Sequence, residues 1–211
     1  MVITRNLRTF VTCNLLSLSL IMNNGIICIE TEWEHTVTQN RLLLQTKSLL
    51  DFLEKSYGCK VIYRRVATKS ELQYYLNRFS LSEYKDYSIF YLSFHGDTHS
   101  IFLEGEKKAD KRLTLTELSD MAKDAFLNRF VHFSSCRTLL GNNGELEKFK
   151  NDTGALFLSG YTKKVDGILS AINDIAYFDQ IFRHRTKKAL IAPAMRKYYE
   201  GLATKLGFKM F

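Results

Sequence analysis

The sequence predicts an α/β protein, with a mainly parallel central sheet and helices on both faces, stacked as a three-layer αβα sandwich. Short runs rich in Ile, Val, Phe and Leu alternate with stretches of helical periodicity, the order that joins parallel strands through crossover helices. These runs are apolar throughout instead of alternating with polar residues, as expected where helices cover both faces of a sheet. With 11 Gly and a single Pro in 211 residues, the chain is poor in the turn formers of a loop-rich β architecture and lacks a Pro-rich linker.

Taken in order, Ile26-Ile27-Cys28-Ile29 reads as the first strand. Leu42, Leu43, Leu49, Leu50 and Leu53 then recur at helical spacing from about Gln39 to Ser56, and Gly58 stops the helix. Val61-Ile62-Tyr63 with Val66 forms a second strand, and the Thr68/Glu71 pair is a capping box for a helix through Leu72, Tyr75, Leu76 and Phe79. A third strand covers 87–94, and His99 to Leu103 reads as a short strand of a hairpin beside the main sheet. Thr114 and Glu117 cap a helix through Leu118, Met121, Ala122 and Phe126. Further strands are expected at 129–134 and 155–158, then a helix through Ile168, Leu169, Ile172, Ile175 and Ile181. A last helix holds Met195, Tyr198, Tyr199 and Leu202, with Pro193 either kinking it or beginning it. Gly141-Asn142-Asn143-Gly144 reads as a mobile connector, and Tyr74, Tyr75, Tyr198 and Tyr199 as core or interface residues.

An apolar content of 45% with 25% charged residues excludes a disordered chain, and 211 residues suit one core, so residues 22–211 are read as a single domain. Residues 1–21 are read as an N-terminal extension upstream of Met22 or a peripheral segment. Arg5, Arg8 and the apolar stretch that follows loosely resemble a signal peptide, but no small-residue cleavage site follows and the stretch is too short to span a bilayer. The expected location is the cytoplasm, with no membrane partner. Cys13, Cys28, Cys59 and Cys136 show no CxxC spacing, which suits reduced thiols better than a disulfide framework. His95 and His99 have helical ligand spacing but fall after a strand, with no third ligand nearby, so neither a metal nor another cofactor is expected. The net charge of +8 is scattered over Arg64-Arg65, Lys107-Lys108, Lys163-Lys164 and Arg183 to Lys188. Nucleic acid is therefore not the expected partner, while an acidic partner or peptide is compatible with it.

Two motifs carry the chemistry. Phe94-His95-Gly96-Asp97 follows the third strand, and Ser134-Ser135-Cys136-Arg137-Thr138 follows the fourth main strand. Ligands of open parallel sheets collect outside the carboxyl ends of strands, so both motifs face one crevice if the strands are neighbours. A thiol nucleophile needs a base within reach, and His95 and Cys136 supply that pair. Asp97 and His99 are expected to shape the His95 loop, and Trp33 to pack on the surface or, as the alternative, over the site.

The order strand, His-Gly, hairpin, helix, strand, Ser-x-Cys-x-Thr, strand resembles the caspase-like (clan CD) cysteine peptidases, closest to their bacterial CHAT-type branch, over about residues 85 to 205. The resemblance implies a caspase-like sandwich in which Cys136 is the nucleophile and His95 the general base and acid. It further implies an oxyanion hole from the backbone N–H groups of Gly96 and Cys136. The implied substrate is a protein or peptide, regulation would come from a partner protein, and bacterial defence or stress signalling fits the family. Arg137, in place of the family's acidic residue, Tyr161 and Asp166 are the candidate substrate contacts. Asp166 either selects a basic residue before the cut or caps the following helix. The alternative is a caspase-like binding module without catalysis.

Overall fold

The computed structural model describes residues 25–33 and 45–211. The N-terminal extension and the start of the helical pattern from Gln39 lie outside the described residues. The main sheet contains β1 (Gly25–Thr31), β2 (Val61–Val66), β3 (Tyr87–Ser93), β7 (Phe130–Ser134), β8 (Phe157–Tyr161) and β9 (Phe208–Met210). Its order is β2-β1-β3-β7-β8-β9, parallel except for β9, which runs antiparallel to β8. The helices are α1 (Gln45–Tyr57), α2 (Lys69–Phe79), α3 (Leu115–Ala122), α4 (Asn143–Thr153), α5 (Gly167–Arg183) and α6 (Ile191–Leu206).

Side chains alternate across a strand, so each β1 residue chooses a face. Ile27 and Ile29, with Phe90, Leu92, Val131 and Phe133, pack under Leu72 and Leu76 of α2, Leu118 of α3 and Leu146 and Phe149 of α4. Ile26 and Cys28, with Ile89 and Tyr91, pack under Leu50 and Leu53 of α1, Phe178 and Ile181 of α5 and Met195 of α6. Both faces are thus covered by helices, as a three-layer sandwich requires. All seven residues of β1 are buried, which explains why this strand carries so little polar residue before Glu30.

Local signals hold where they are strong. Thr68 and Glu71 form the reciprocal capping box that opens α2. Glu117 accepts from Thr114 N–H at 2.7 Å while Thr114 Oγ1 accepts from Glu117 N–H at 3.2 Å, directing the chain into α3. Pro193 lies in the first turn of α6, where its missing N–H has no intrahelical partner to lose. Three elements depart from the reading of the sequence. Asn142 caps α4 instead of ending a loop, and of the 11 residues of α4 only Leu146, Phe149 and Thr153 are buried, too few apolar positions to show a period. The strand expected at 155–158 lies at Phe157–Tyr161, since Ser159 and Gly160 are buried despite their small or polar character. A last short strand, β9, follows the left-handed Gly207 that ends α6.

Beside the main sheet, β4 (His95–Asp97), β5 (Ser100–Phe102) and β6 (Arg112–Thr114) form a small antiparallel sheet. The expected hairpin is therefore present, and His95 opens its first strand.

Candidate active site

β3 and β7 are hydrogen-bonded neighbours, and their last residues, Ser93 and Ser134, are partners in register. His95 and Cys136 each lie two residues beyond that pair, on chains that leave the sheet about 4.8 Å apart. Both line one cleft of about 360 Å³, with Glu30, Trp33, Ser93 and Ser134 among its walls. The Cys136 side is partly open to solvent, and its Sγ accepts a hydrogen bond from Val165 N–H at 3.4 Å.

Cys136 sits in a tight turn whose next residue, Arg137, takes the left-handed conformation (φ 57°). That turn is pinned on one side by Arg137 N–H donating to Lys163 O at 3.1 Å and Leu139 N–H donating to Tyr161 O at 3.1 Å. On the other side, His99 N–H donates to Thr138 O at 3.3 Å, tying the turn to the β4–β5 hairpin. Gly96 is what lets the two approach: a Cβ there would come within 2.3 Å of Thr138 Oγ1 and 2.6 Å of Cys136 O. The residue beside the histidine thus packs directly on the backbone of the cysteine. His99, nearly buried, also pairs with Glu145 of α4 at 2.6 Å, so it shapes the hairpin as expected.

The substrate contacts expected from the sequence fare unevenly. Tyr161 is fully buried, and its hydroxyl donates to Ser170 O at 3.2 Å and to Asp174, so it is a structural residue and not a cleft contact. The expectation placed Tyr161 on a loop, whereas β8 runs on through Tyr161, which faces the core. Asp166 takes its other expected role: Oδ1 accepts from Ile168 and Leu169 N–H at 3.0 Å each, capping α5, and the residue lies outside the cleft lining. Arg137 faces Asp97 at 3.9 Å with both side chains more than half exposed, a pairing worth about 0–1 kcal/mol.

Trp33 takes its alternative placement over the site, with its ring packed against His95 at 4.5 Å between centroids and 86°. Its Nε1–H donates to Glu30 Oε1 at 2.7 Å. A further cleft residue, Glu30, was missed. Glu30 is 1% exposed and also accepts from Thr46 Oγ1 at 2.6 Å, Ser93 Oγ at 3.3 Å and the Tyr63 hydroxyl. Burial first, and then the Glu30 carboxylate, push the Tyr63 hydroxyl well above its ordinary range. The available signal was a lone carboxylate closing an otherwise apolar strand.

Behind the cleft lies a second polar cluster. Asp174 of α5 accepts from Tyr91 at 2.8 Å, Ser134 Oγ at 2.7 Å and Tyr161, and contacts His132 Nε2 at 2.7 Å, while His132 Nδ1 meets Ser159 Oγ at 3.0 Å. Burial disfavours the Asp174 anion, but the adjoining His132 and the hydrogen bonds outweigh it and hold the carboxyl below its usual range. Burial and the same carboxylate push the Tyr91 and Tyr161 hydroxyls up.

Among the described residues no group of three or more His, Cys, Asp and Glu is gathered as a metal site, and no helix is long and apolar enough to cross a membrane. No curated protein matches the sequence. A family model described as a family of unknown function, DUF6642, matches residues 23–211, and the chain belongs to that family.

Proposed function

We propose that this protein is a caspase-like cysteine peptidase that hydrolyses peptide bonds through Cys136 and His95. The observation that carries the reading is the register of Ser93 with Ser134, which delivers a histidine and a partly exposed thiol to one cleft from adjacent parallel strands. The antiparallel β9 at the sheet edge and the small hairpin sheet after β3 support the fold assignment.

In this reading His95 takes the thiol proton as Cys136 Sγ attacks the scissile carbonyl carbon. The C–N bond then breaks as His95 returns the proton to the leaving amine. The acyl-enzyme thioester is hydrolysed by water, which gives its proton to His95 and restores the thiol. Backbone N–H groups of Gly96 and Cys136 would hold the oxyanion, an interaction that commonly supplies about 3–4 kcal/mol. With Asp166 committed to the helix cap, no preference for basic residues is assigned to it.

The test is labelling with tetrapeptide acyloxymethyl ketones carrying Arg, Lys, Asp or Leu beside the warhead. At least one should label the protein at Cys136, and both Cys136→Ala and His95→Ala should abolish labelling while leaving the unfolding midpoint in place. Labelling at another residue, or labelling of Cys136 that ignores His95, would favour a caspase-like binding module without catalysis.

A further inference from the structure

Glu30 is a buried carboxylate in the wall of the cleft, and its donors tie it into the surrounding scaffold. A carboxylate offers about four acceptor positions. Trp33, Thr46, Ser93 and Tyr63 supply four donors, from the loop after β1, from α1, from β3 and from β2. Three of these donors converge on Oε1 and the Tyr63 hydroxyl takes Oε2, so the carboxylate is anchored by four elements. Of the four donors, Trp33 reaches onward, its ring standing edge-to-face with His95. That ring is held at both ends: the indole N–H on Glu30, the aromatic surface on the imidazole.

We propose that Glu30 is a positioning residue for His95, acting through Trp33. The inference rests on the reading of His95 as the base for Cys136. His95 opens β4, a strand of three residues, and is exposed. A side chain tethered to a carboxylate that four elements anchor supplies a wall against which the ring can stand in one orientation. Without the tether, the indole turns and the imidazole follows, and a misplacement of about 1 Å costs on the order of a hundredfold in rate.

The experiment uses chloroacetamide as the probe and reads the rate of Cys136 alkylation against pH, together with intrinsic fluorescence. Trp33 is the single tryptophan, so its emission reports on its surroundings without interference. An imidazolium in ring contact quenches indole emission, so emission should step with pH in the region where histidines titrate, roughly pH 5–8, and the step should vanish in His95→Ala. Glu30→Gln and the milder Trp33→Phe, both checked for an unchanged circular dichroism spectrum, should slow alkylation at neutral pH by roughly ten- to a hundredfold and shift the inflection that His95→Ala removes. In Glu30→Gln the fluorescence step should also shrink or move. If His95→Ala leaves the alkylation profile unchanged, the peptidase reading fails. If His95→Ala alters the profile but both Glu30→Gln and Trp33→Phe reproduce the wild-type curve, the peptidase reading stands and the positioning role is overturned.

Discussion

His95 and His132 lie on neighbouring paths through the sheet and have opposite surroundings. His132, inside β7, is fully buried, stacked on Tyr91 at 5.7 Å, and has one ring nitrogen at Asp174 and the other at Ser159. His95, two residues beyond the end of β3, is exposed, shares its cleft with Cys136 and meets Trp33 edge-on. A histidine with both nitrogens committed to buried partners is a bracket joining α5 to the sheet. One at the mouth of a cleft that it shares with a thiol is, in the proposed peptidase reading, the group that moves the proton. The carboxylates repeat the contrast at one remove, since Asp174 holds the bracket and Glu30 holds the indole that meets the His95 ring. What separates the two histidines is their place along a strand. His132 lies inside β7, where the sheet interior requires partners for a polar group, and His95 lies beyond the end of β3, at the carboxyl edge where ligands of parallel sheets collect.

The sharpest way to break this comparison is to remove the bracket. Asp174→Ala leaves His132, Tyr91, Tyr161 and Ser134 without their acceptor and should cost about 3–5 kcal/mol in urea unfolding. A loss under about 1 kcal/mol would show that Asp174 carries no such load. The same group sets an acid limb. Its folded carboxyl titrates below its unfolded value of about 3.9, so its stabilisation is complete above that pH and drains away as the pH falls further. Comparing unfolding at pH 7 and pH 3, Asp174→Asn should lose less stability on acidification than the wild-type protein.

Next in size is the contact between the hairpin and the cysteine turn. Gly96→Ala forces a methyl group against Thr138 Oγ1 and Cys136 O and should cost about 1–3 kcal/mol, with labelling of Cys136 reduced in the same protein. Retained labelling at wild-type rate would mean that the two segments adjust independently. Removing the α5 cap by Asp166→Ala should cost about 1 kcal/mol, whereas Asp166→Asn, an equally good cap, should be nearly neutral and leave probe preference unchanged. A changed preference would return Asp166 to the substrate pocket.

The smallest effect on stability belongs to the site itself. Cys136→Ala and His95→Ala should each stay within about 0.5 kcal/mol in unfolding, although both abolish labelling. The thiols give a further check. Burial pushes Cys59 up to about 11 and also raises the wholly buried Cys28, so peptide mapping after brief chloroacetamide treatment at neutral pH should find the partly exposed Cys136 modified before either. Equal modification of Cys28 would show that the sheet opens on the timescale of the reaction.

The sequence alone determined the elements that rest on local physics. Apolar runs made β1, β3 and β7 legible, and the Thr68/Glu71 and Thr114/Glu117 capping boxes marked the starts of α2 and α3, because a cap is satisfied within four residues of chain. His95 and Cys136 were legible for a related reason: each ends an apolar run in small or polar residues, and a strand end is visible in one dimension. α4 escaped because two buried apolar side chains in a polar stretch have no period, and β9 because three residues become a strand only when β8 lies beside them. Tertiary structure decided the rest. It set Trp33 against His95, turned Tyr161 inward and Asp166 onto its helix, and drew four donors from four elements around Glu30. Such arrangements depend on which strands become neighbours, and a carboxylate buried among distant hydroxyls looks, in the chain, like any acidic residue at the end of a strand.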